Sequence, residues 1–207
     1  MLCDNCLANW FCSRQAYREN WCPSKDKLDT AISKARVPKR YLNANEFYFD
    51  RRVSTFDDVS EAIDLLDLKK GVIYIYGEEF SGKTYNGFVI LNHYIFNHCL
   101  TNQVYERPIA LYIDYVDLAN NVKNDKEEFE TLKTVPLLYI DDVGAIVNDT
   151  VIEIFYRVIN ERYNNELSTI LTSLYSLDEL AKYCGKRAVA KIKNSLIKEI
   201  KCQTLEL

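Results

Sequence analysis

Hydrophobic positions in the central and C-terminal parts of the chain form two kinds of run. Short, nearly continuous apolar runs predict buried strands at 72–76, 109–113, 137–140 and 168–172, and 199–205 could be a final strand. Between them, segments with apolar residues three and four positions apart predict helices, at 83–99, 150–164, 177–183 and 188–196, with another beginning at 116. This alternation indicates an α/β fold with a parallel sheet and helices on both faces.

The part of the chain before the first strand has a different pattern. It includes a short helical stretch that ends near Val37, because the residue before a proline is disfavoured in a helix and Pro38 follows. A longer helix is predicted at 54–68. We therefore divide the chain into a cysteine-rich segment at 1–24, a linker and entry segment at 25–53 and a core domain at 54–207.

A glycine-bounded loop follows the first strand and matches the phosphate-binding pattern G-x-x-x-x-G-K-[ST] at every fixed position. Its glycines let the backbone turn so that successive N–H groups face one anion. Lys83 supplies positive charge for the β- and γ-phosphates, and the Thr84 hydroxyl is suited to ligate Mg²⁺. The helix that follows adds its positive N-terminal end. The predicted nucleotide-binding residues are Gly77, Glu78, Glu79, Phe80, Ser81, Gly82, Lys83, Thr84, Tyr85 and Asp141.

Two acids end the predicted strand at 137–140. An acid at the carboxyl end of a strand beside a phosphate loop can hold Mg²⁺, and a second one can polarise the attacking water. We assign Asp141 to the metal and Asp142 to the general base. A strand that merely ends in a polar turn would look the same, but the phosphate-binding motif earlier in the chain favours the catalytic interpretation.

Four of the seven cysteines lie near the start of the chain, in the pattern C-x2-C-x5-C-x9-C formed by Cys3, Cys6, Cys12 and Cys22. In a cytosolic chain such a cluster favours metal binding over disulfides. Four thiolates could close a tetrahedral zinc site, although an iron–sulfur cluster or unligated thiols remain alternatives. The other cysteines, Cys99, Cys184 and Cys202, are predicted to be buried thiols.

Composition narrows the class of protein. A chain of 207 residues with 48% apolar and 27% charged residues suits one α/β domain with a small appendage. It has no apolar run long enough to cross a membrane and no secretory signal, which predicts a cytoplasmic protein without a membrane partner. The net charge of −4 gives no overall attraction to nucleic acid, but the basic segment 182–201 could contact phosphates or simply be a solvated face.

The segments 37–41, 77–84, 137–144 and 169–180 occur in an order that resembles the DnaC/DnaI-type AAA+ ATPases. These are the replicative helicase loaders of bacteria and phages, and the IstB-like transposition ATPases share their plan. The Asp142-Val143-Gly144 turn and the run Thr-Ser-x-Tyr-Ser-Leu-Asp-Glu-Leu at 172–180 are specific to this group. The resemblance extends from about residue 37 to the end of the chain.

The resemblance implies a function as well as a P-loop NTPase fold of the AAA+ type. Loaders of this kind bind ATP and Mg²⁺ between adjacent subunits, contact single-stranded DNA, and grip a hexameric DnaB-type helicase through an N-terminal appendage that holds zinc in DnaI-like members. Our leading hypothesis is therefore a helicase loader of a phage or mobile element. The alternatives are an IstB-like transposition ATPase and a hydrolysis-poor, nucleotide-binding adaptor or inhibitor of a helicase.

The chain departs from the family pattern in ways that predict slow hydrolysis. An asparagine commonly follows the Thr-Ser pair, where Leu174 stands here, and Thr172 or Ser173 would replace it weakly. The family's arginine finger falls on Lys191, with Arg187 one turn earlier, and a lysine lacks the bidentate fork of arginine. The lid domain is predicted to be absent or minimal.

Contacts with single-stranded DNA are predicted from the distribution of bases and aromatic residues. Phosphates could bind to the segment 182–201, and bases could stack on Tyr115 or Tyr183. The stretch 116–129 lies where AAA+ initiators place a DNA-facing helix, but its acidic residues would repel phosphate.

Overall fold

The computed structural model describes residues 25–42, 44, 56–68, 71–100, 107–118, 120 and 125–202. The four cysteines of the predicted zinc site, Cys3, Cys6, Cys12 and Cys22, lie outside the described residues, as does the side chain of Cys99. Within the described ranges, no three His, Cys, Asp or Glu side chains are grouped so that they could hold a metal ion by themselves. The N-terminal zinc site therefore stays a prediction.

The described elements alternate along the chain as the hydrophobic pattern predicts. The helices are α1 (Lys25–Lys34), α2 (Phe56–Leu68), α3 (Lys83–Leu100), α4 (Lys126–Thr134), α5 (Asp149–Asn164), α6 (Leu177–Cys184) and α7 (Lys186–Asn194). The strands are β1 (Val72–Gly77), β2 (Ala110–Asp114), β3 (Leu137–Asp141), β4 (Ser168–Ser173) and β5 (Ile197–Cys202). Short 3-10 turns occupy Lys39–Tyr41 and Tyr115–Asp117. Among the described helices, none is both long and apolar enough to span a membrane.

The five strands form one sheet in the order β2-β3-β4-β1-β5, and every neighbouring pair is parallel. The predicted parallel sheet is confirmed. Because all the strands run in one direction, their carboxyl ends meet at a single edge. That edge collects the phosphate loop after β1, the acids after β3 and the polar end of β4.

The sheet separates two apolar clusters, so helices cover both of its faces as predicted. Alternation along β1 sends Ile73 and Ile75 to one cluster and Val72 and Tyr74 to the other. The first cluster is completed by residues of α1, α2 and α3, and the second by residues of α4, α5, α6 and α7. The thiols of Cys184 and Cys202 are buried, as predicted.

The structure differs from the predicted elements in several places. The helix expected from residue 116 begins with a 3-10 turn at Tyr115–Asp117, where the Asp114 carboxylate accepts a hydrogen bond from Val116 N at 2.9 Å, and residues 118 and 120 are helical. The unpredicted helix α4 begins after Asp125, which caps it by accepting hydrogen bonds from two backbone N–H groups. Strand β5 begins at Ile197, before the predicted residue 199, and its exposed positions hide it from a search for continuous apolar runs.

At the opposite edge of the sheet, one buried arginine connects the beginnings of β3 and β4. The Arg162 guanidinium donates hydrogen bonds to the carbonyls of Leu132 and Val135 at 3.0 and 2.8 Å, and to Thr169 Oγ1 at 2.9 Å. It also donates to the Ser168 carbonyl. These bonds satisfy backbone groups where the two strands begin, and the far ends of the same strands carry the candidate site.

Candidate nucleotide-binding site

The phosphate loop passes so close to the end of β5 that its first position accepts only glycine. Gly77 has a φ of +151°, and a Cβ atom there would lie 2.1 Å from the carbonyl oxygen of Cys202. Gly82 has a φ of +83°, in the region that favours glycine. Between them, the buried Ser81 hydroxyl donates to the Glu78 carbonyl at 2.8 Å and closes the loop.

The tip of the loop carries an unusual side chain. Phe80 has a φ of +58°, a left-handed conformation that is uncommon for a bulky residue, and it is 96% exposed. Its neighbours Glu78 and Glu79 are exposed as well. The loop therefore presents an aromatic ring and two acids to solvent. The phosphate-binding pattern leaves these positions open, so it does not predict the strained backbone at Phe80.

Lys83 begins α3 with its side chain folded into the loop. Its ammonium donates a hydrogen bond to the Glu78 carbonyl, and the residue is only 9% exposed. Burial lowers the pKa of Lys83, while the nearby Cys202 thiol and the carboxyls of Asp142 and Asp141 act in the opposite direction. The loop thus holds a buried positive charge beside its backbone N–H groups, which is the environment that a phosphate requires.

The fold brings together the two predicted magnesium ligands, which are far apart in the sequence. The Thr84 hydroxyl donates to Asp141 Oδ1 at 3.1 Å, joining the first turn of α3 to the end of β3. Both groups are hard oxygen ligands of the kind that Mg²⁺ prefers. Magnesium commonly takes only one or two protein ligands and completes its shell with waters and phosphate oxygens. The residues present therefore fit a magnesium–nucleotide complex.

Two further hydroxyls donate to the same oxygen of Asp141. The Tyr139 hydroxyl lies 2.9 Å from Oδ1, and Thr172 Oγ1 also donates to it. Sequence reasoning did not identify Tyr139 as part of the site. The strand period could have revealed Tyr139, because it places residues 139 and 141 on one face of β3. Thr172 comes from β4, the strand that lies beside β3 in the sheet.

Asp142 follows in a left-handed conformation, with φ +57°. Its backbone N donates to Thr172 Oγ1 at 2.9 Å, which fixes the turn. Burial raises the pKa of Asp142, and the neighbouring carboxylates Asp141 and Asp114 raise it further, while Lys83 opposes them. A carboxyl that takes up a proton more readily than usual is suited to act as a general base.

Asp114 is a third acid at this edge that sequence reasoning missed. It ends β2 and pairs with Asp141 in the register of the sheet. Burial raises the pKa of Asp114, although the hydrogen bond from Val116 N acts against that change. The parallel order of β2 and β3 would have revealed this acid, but that order becomes visible only in the folded sheet.

The structure distinguishes the two hydroxyls that could replace the missing asparagine. Thr172 contacts both acids of the site, as described above. Ser173 instead donates to the Val143 carbonyl at 2.7 Å and accepts from Tyr175 N at 3.2 Å, so its hydroxyl is used in the turn after β4. Leu174, at the asparagine position itself, is 36% exposed and offers no polar group.

The two predicted finger residues lie on α7, which packs against α5 and α6. The Lys191 ammonium lies 4.4 Å from the centroid of the Tyr163 ring, and Arg187 is exposed. Within the described part of the chain, neither side chain has a recorded hydrogen bond or ion pair with the phosphate loop. Their action on a neighbouring subunit stays a prediction.

The aromatic residues proposed for stacking on DNA bases have different environments. Tyr115 is fully buried, and its ring packs edge-on against Phe155 at 5.4 Å, so the prediction that it stacks on bases is wrong. The reason is that the 3-10 turn points this side chain into the core. Tyr183 is partly exposed and stacks on Tyr175 at 3.7 Å.

The arrangement as a whole defines a P-loop NTPase core. A phosphate loop follows β1, a strand with neighbours on both sides. Asp141, the predicted magnesium ligand, ends β3, which is separated from β1 by β4. Similar solved structures indicate that this P-loop fold is of the AAA+ type. A crystal structure of the DnaC helicase loader matches with a TM-score of 0.63 and 25% identity, covering 79% of this chain and 100% of that one.

Two other solved structures have the same fold. A crystal structure of DnaI matches with a TM-score of 0.65 and 20% identity, over 83% of this chain and 93% of that one. The replication initiator DnaA bound to AMPPCP and single-stranded DNA matches with a TM-score of 0.59 and 22% identity, over 79% of this chain and 50% of that one.

In sequence, the chain is 27% identical over 176 residues to the replicative helicase loader DnaI of Bacillus subtilis. The match covers 77% of this chain but 55% of that protein, so the chain spans about half the length of its curated relative. No protein-family model matches the chain. The resemblance found in the sequence is confirmed: the chain is similar to helicase loaders of the DnaC/DnaI type.

Proposed function

We propose that the protein is an ATP-binding helicase loader that binds a hexameric DnaB-type helicase and helps to place it on single-stranded DNA. Slow ATP hydrolysis acts as its switch. The observation that carries the proposal is the hydrogen bond of 3.1 Å between Thr84 and Asp141, which joins the phosphate loop to the acid of β3 in a relative of known loaders.

The nucleotide chemistry follows from the side chains at this edge. The loop N–H groups and Lys83 bind the phosphates, and Thr84 and Asp141 would hold the magnesium ion. Bound magnesium would neutralise charge that develops on the phosphate oxygens. Asp142, with its raised pKa, would accept a proton from the attacking water.

The partner assignment rests on the relatives. The Bacillus subtilis relative is named a replicative helicase loader, and one of the similar structures is DnaA with single-stranded DNA. We extend these partners to this chain as part of the proposal. Self-association through the ATP interface would bring Lys191 or Arg187 of one subunit to the phosphates of the next. The predicted N-terminal zinc segment would supply the helicase contact.

A second candidate is a nucleotide-binding adaptor or inhibitor that hydrolyses ATP poorly. Two observations favour it: Leu174 offers no polar group where the family has asparagine, and the ammonium of Lys191 is already engaged with the Tyr163 ring. An arginine finger can be worth about a thousandfold or more in rate, so its replacement by lysine would slow turnover strongly.

Helicase deposition on single-stranded DNA separates the two candidates. We would compare the natural protein with Lys83→Ala, and with Lys27→Ala as a control that removes an exposed charge on α1. A loader driven by ATP loses deposition in Lys83→Ala and keeps it in Lys27→Ala. If Lys83→Ala deposits the helicase as well as the natural protein does, nucleotide chemistry is irrelevant and the adaptor is the better description.

Partner choice tests the remaining alternative, an IstB-like transposition ATPase. The protein would be used to capture candidate replicative helicases and candidate transposases, each with and without ATP. A loader retains the helicase in an ATP-dependent manner. Retention of a transposase alone would replace the loader with the transposition ATPase.

A further inference from the structure

The side chain of Tyr139 reaches from the middle of β3 into the metal-binding end of the site. The residue is fully buried, and its hydroxyl lies 2.9 Å from Asp141 Oδ1 and 3.3 Å from the Thr84 carbonyl oxygen. The hydroxyl has one proton to donate, and the carboxylate is the closer and the charged acceptor. A tyrosine in the core of a strand thus contacts both residues that would hold magnesium.

The opposite helix leaves space for this hydroxyl. A Cβ atom at Gly87 of α3 would lie 2.4 Å from both the hydroxyl oxygen and Cζ of Tyr139. Glycine is unfavourable inside a helix, and here its lack of a side chain is what admits the phenol. The Tyr139 ring makes edge-on contacts with the rings of Phe88 and Tyr112, with centroid distances of 5.1 and 5.3 Å, and these contacts fix its position.

The hydrogen bonds to Asp141 are distributed unevenly between its two oxygens. Thr84, Tyr139 and Thr172 all donate to Oδ1. Within the described part of the chain, no hydrogen bond to Oδ2 is recorded.

We propose that Tyr139 is a positioning residue: its hydroxyl holds Oδ1 of Asp141 so that Oδ2 is presented to the magnesium ion of the bound nucleotide. Gly87 makes this possible by leaving room in α3. The inference rests on the proposed function, because it assigns a role toward Mg²⁺ that has meaning only if the site binds magnesium with ATP.

The test is the magnesium dependence of ATP affinity in Tyr139→Phe, which keeps the ring and its packing and removes only the hydroxyl. Tyr112→Phe is the matched control, because it removes a hydroxyl from the same aromatic cluster. Its hydroxyl has no recorded hydrogen bond within the described residues. A fluorescent ATP analogue would be titrated with magnesium and with EDTA, and thermal melting would be followed in parallel.

In the presence of magnesium, we expect Tyr139→Phe to bind the ATP analogue about tenfold more weakly, which is the typical contribution of a hydrogen bond to a charged group. The variant should also need more magnesium for half-saturation. In EDTA its affinity should equal that of the natural protein, and Tyr112→Phe should match the natural protein in both conditions. Equal affinities in all three proteins, or equal losses with magnesium and EDTA, would overturn the positioning role. Failure of the natural protein to bind ATP at all would instead refute the proposed function.

Discussion

At the scale of single residues, the carboxyl proposed as the general base, Asp142, lowers the stability of the fold when it ionises. Its backbone is left-handed, and burial together with Asp141 and Asp114 raises the pKa of its carboxyl. A carboxyl with a raised pKa in the folded state contributes stability below its ordinary pKa, and that contribution is lost as the pH rises through the folded value. Ionisation of Asp142 therefore lowers the stability of the nucleotide-free fold.

We predict that Asp142→Asn raises the free energy of unfolding at pH 7 by about 0.5–1 kcal/mol, since it removes the repulsion between carboxylates. Asparagine tolerates a left-handed backbone, so the substitution adds no strain there. Urea denaturation at pH 7 and near pH 4 checks this. The gain should vanish at the acid pH, and ATP turnover should fall. A gain of the same size at both pH values would show that charge is not the cause.

At the scale of elements, the contact between β1 and β5 sets the shape of the phosphate loop. Gly77 pairs with Cys202 in the parallel register, so the loop leaves the sheet against the carbonyl group of the last residue of β5. Asn86 of α3 donates to Cys202 Sγ at 3.3 Å and ties the helix to the same strand end. The loop is thus fixed by a strand that lies far from it in the sequence.

We predict that Gly77→Ala lowers the free energy of unfolding by about 2–4 kcal/mol, because its Cβ would collide with a backbone carbonyl that cannot move freely. Gly185→Ala is the graded control. It also has a positive φ, but its Cβ would lie 3.2 Å from a side-chain methyl of Ile152, so about 1 kcal/mol is expected. Equal losses in urea denaturation would contradict the proposed contact.

Elements also show how far the sequence alone predicts this fold. Strands β1, β2, β3 and β4 are buried on both faces, so continuous apolar runs reveal them. Strand β5 has exposed positions, so its apolar residues do not form a continuous run. The phosphate loop and the acids after β3 follow from local motifs. The positions of Thr172 and Asp114 at this site depend on strand order and register, which local patterns do not encode. Tyr139 lies on the same face of β3 as Asp141, which follows from the strand period.

At the scale of the whole molecule, the proposed function assigns the contact with a helicase to the N-terminal cysteine segment. Four thiolates in a short segment predict about one zinc ion per chain, measurable by elemental analysis of the purified protein. If the analysis finds iron and the protein is coloured, the segment holds an iron–sulfur cluster and not zinc. Free thiols at Cys3, Cys6, Cys12 and Cys22 with no bound metal would contradict the metal site. An origin in a phage or mobile element stays a prediction.

The most direct test of the central claim is calorimetric titration of ATP and Mg²⁺ into the folded protein, alone and with a candidate helicase. We predict a saturable heat of binding that shrinks when magnesium is removed and disappears in Lys83→Ala. The Lys27→Ala control should behave like the natural protein. If the folded natural protein takes up no adenine nucleotide, with or without the helicase, the assignment of the phosphate loop and its acids to ATP is contradicted.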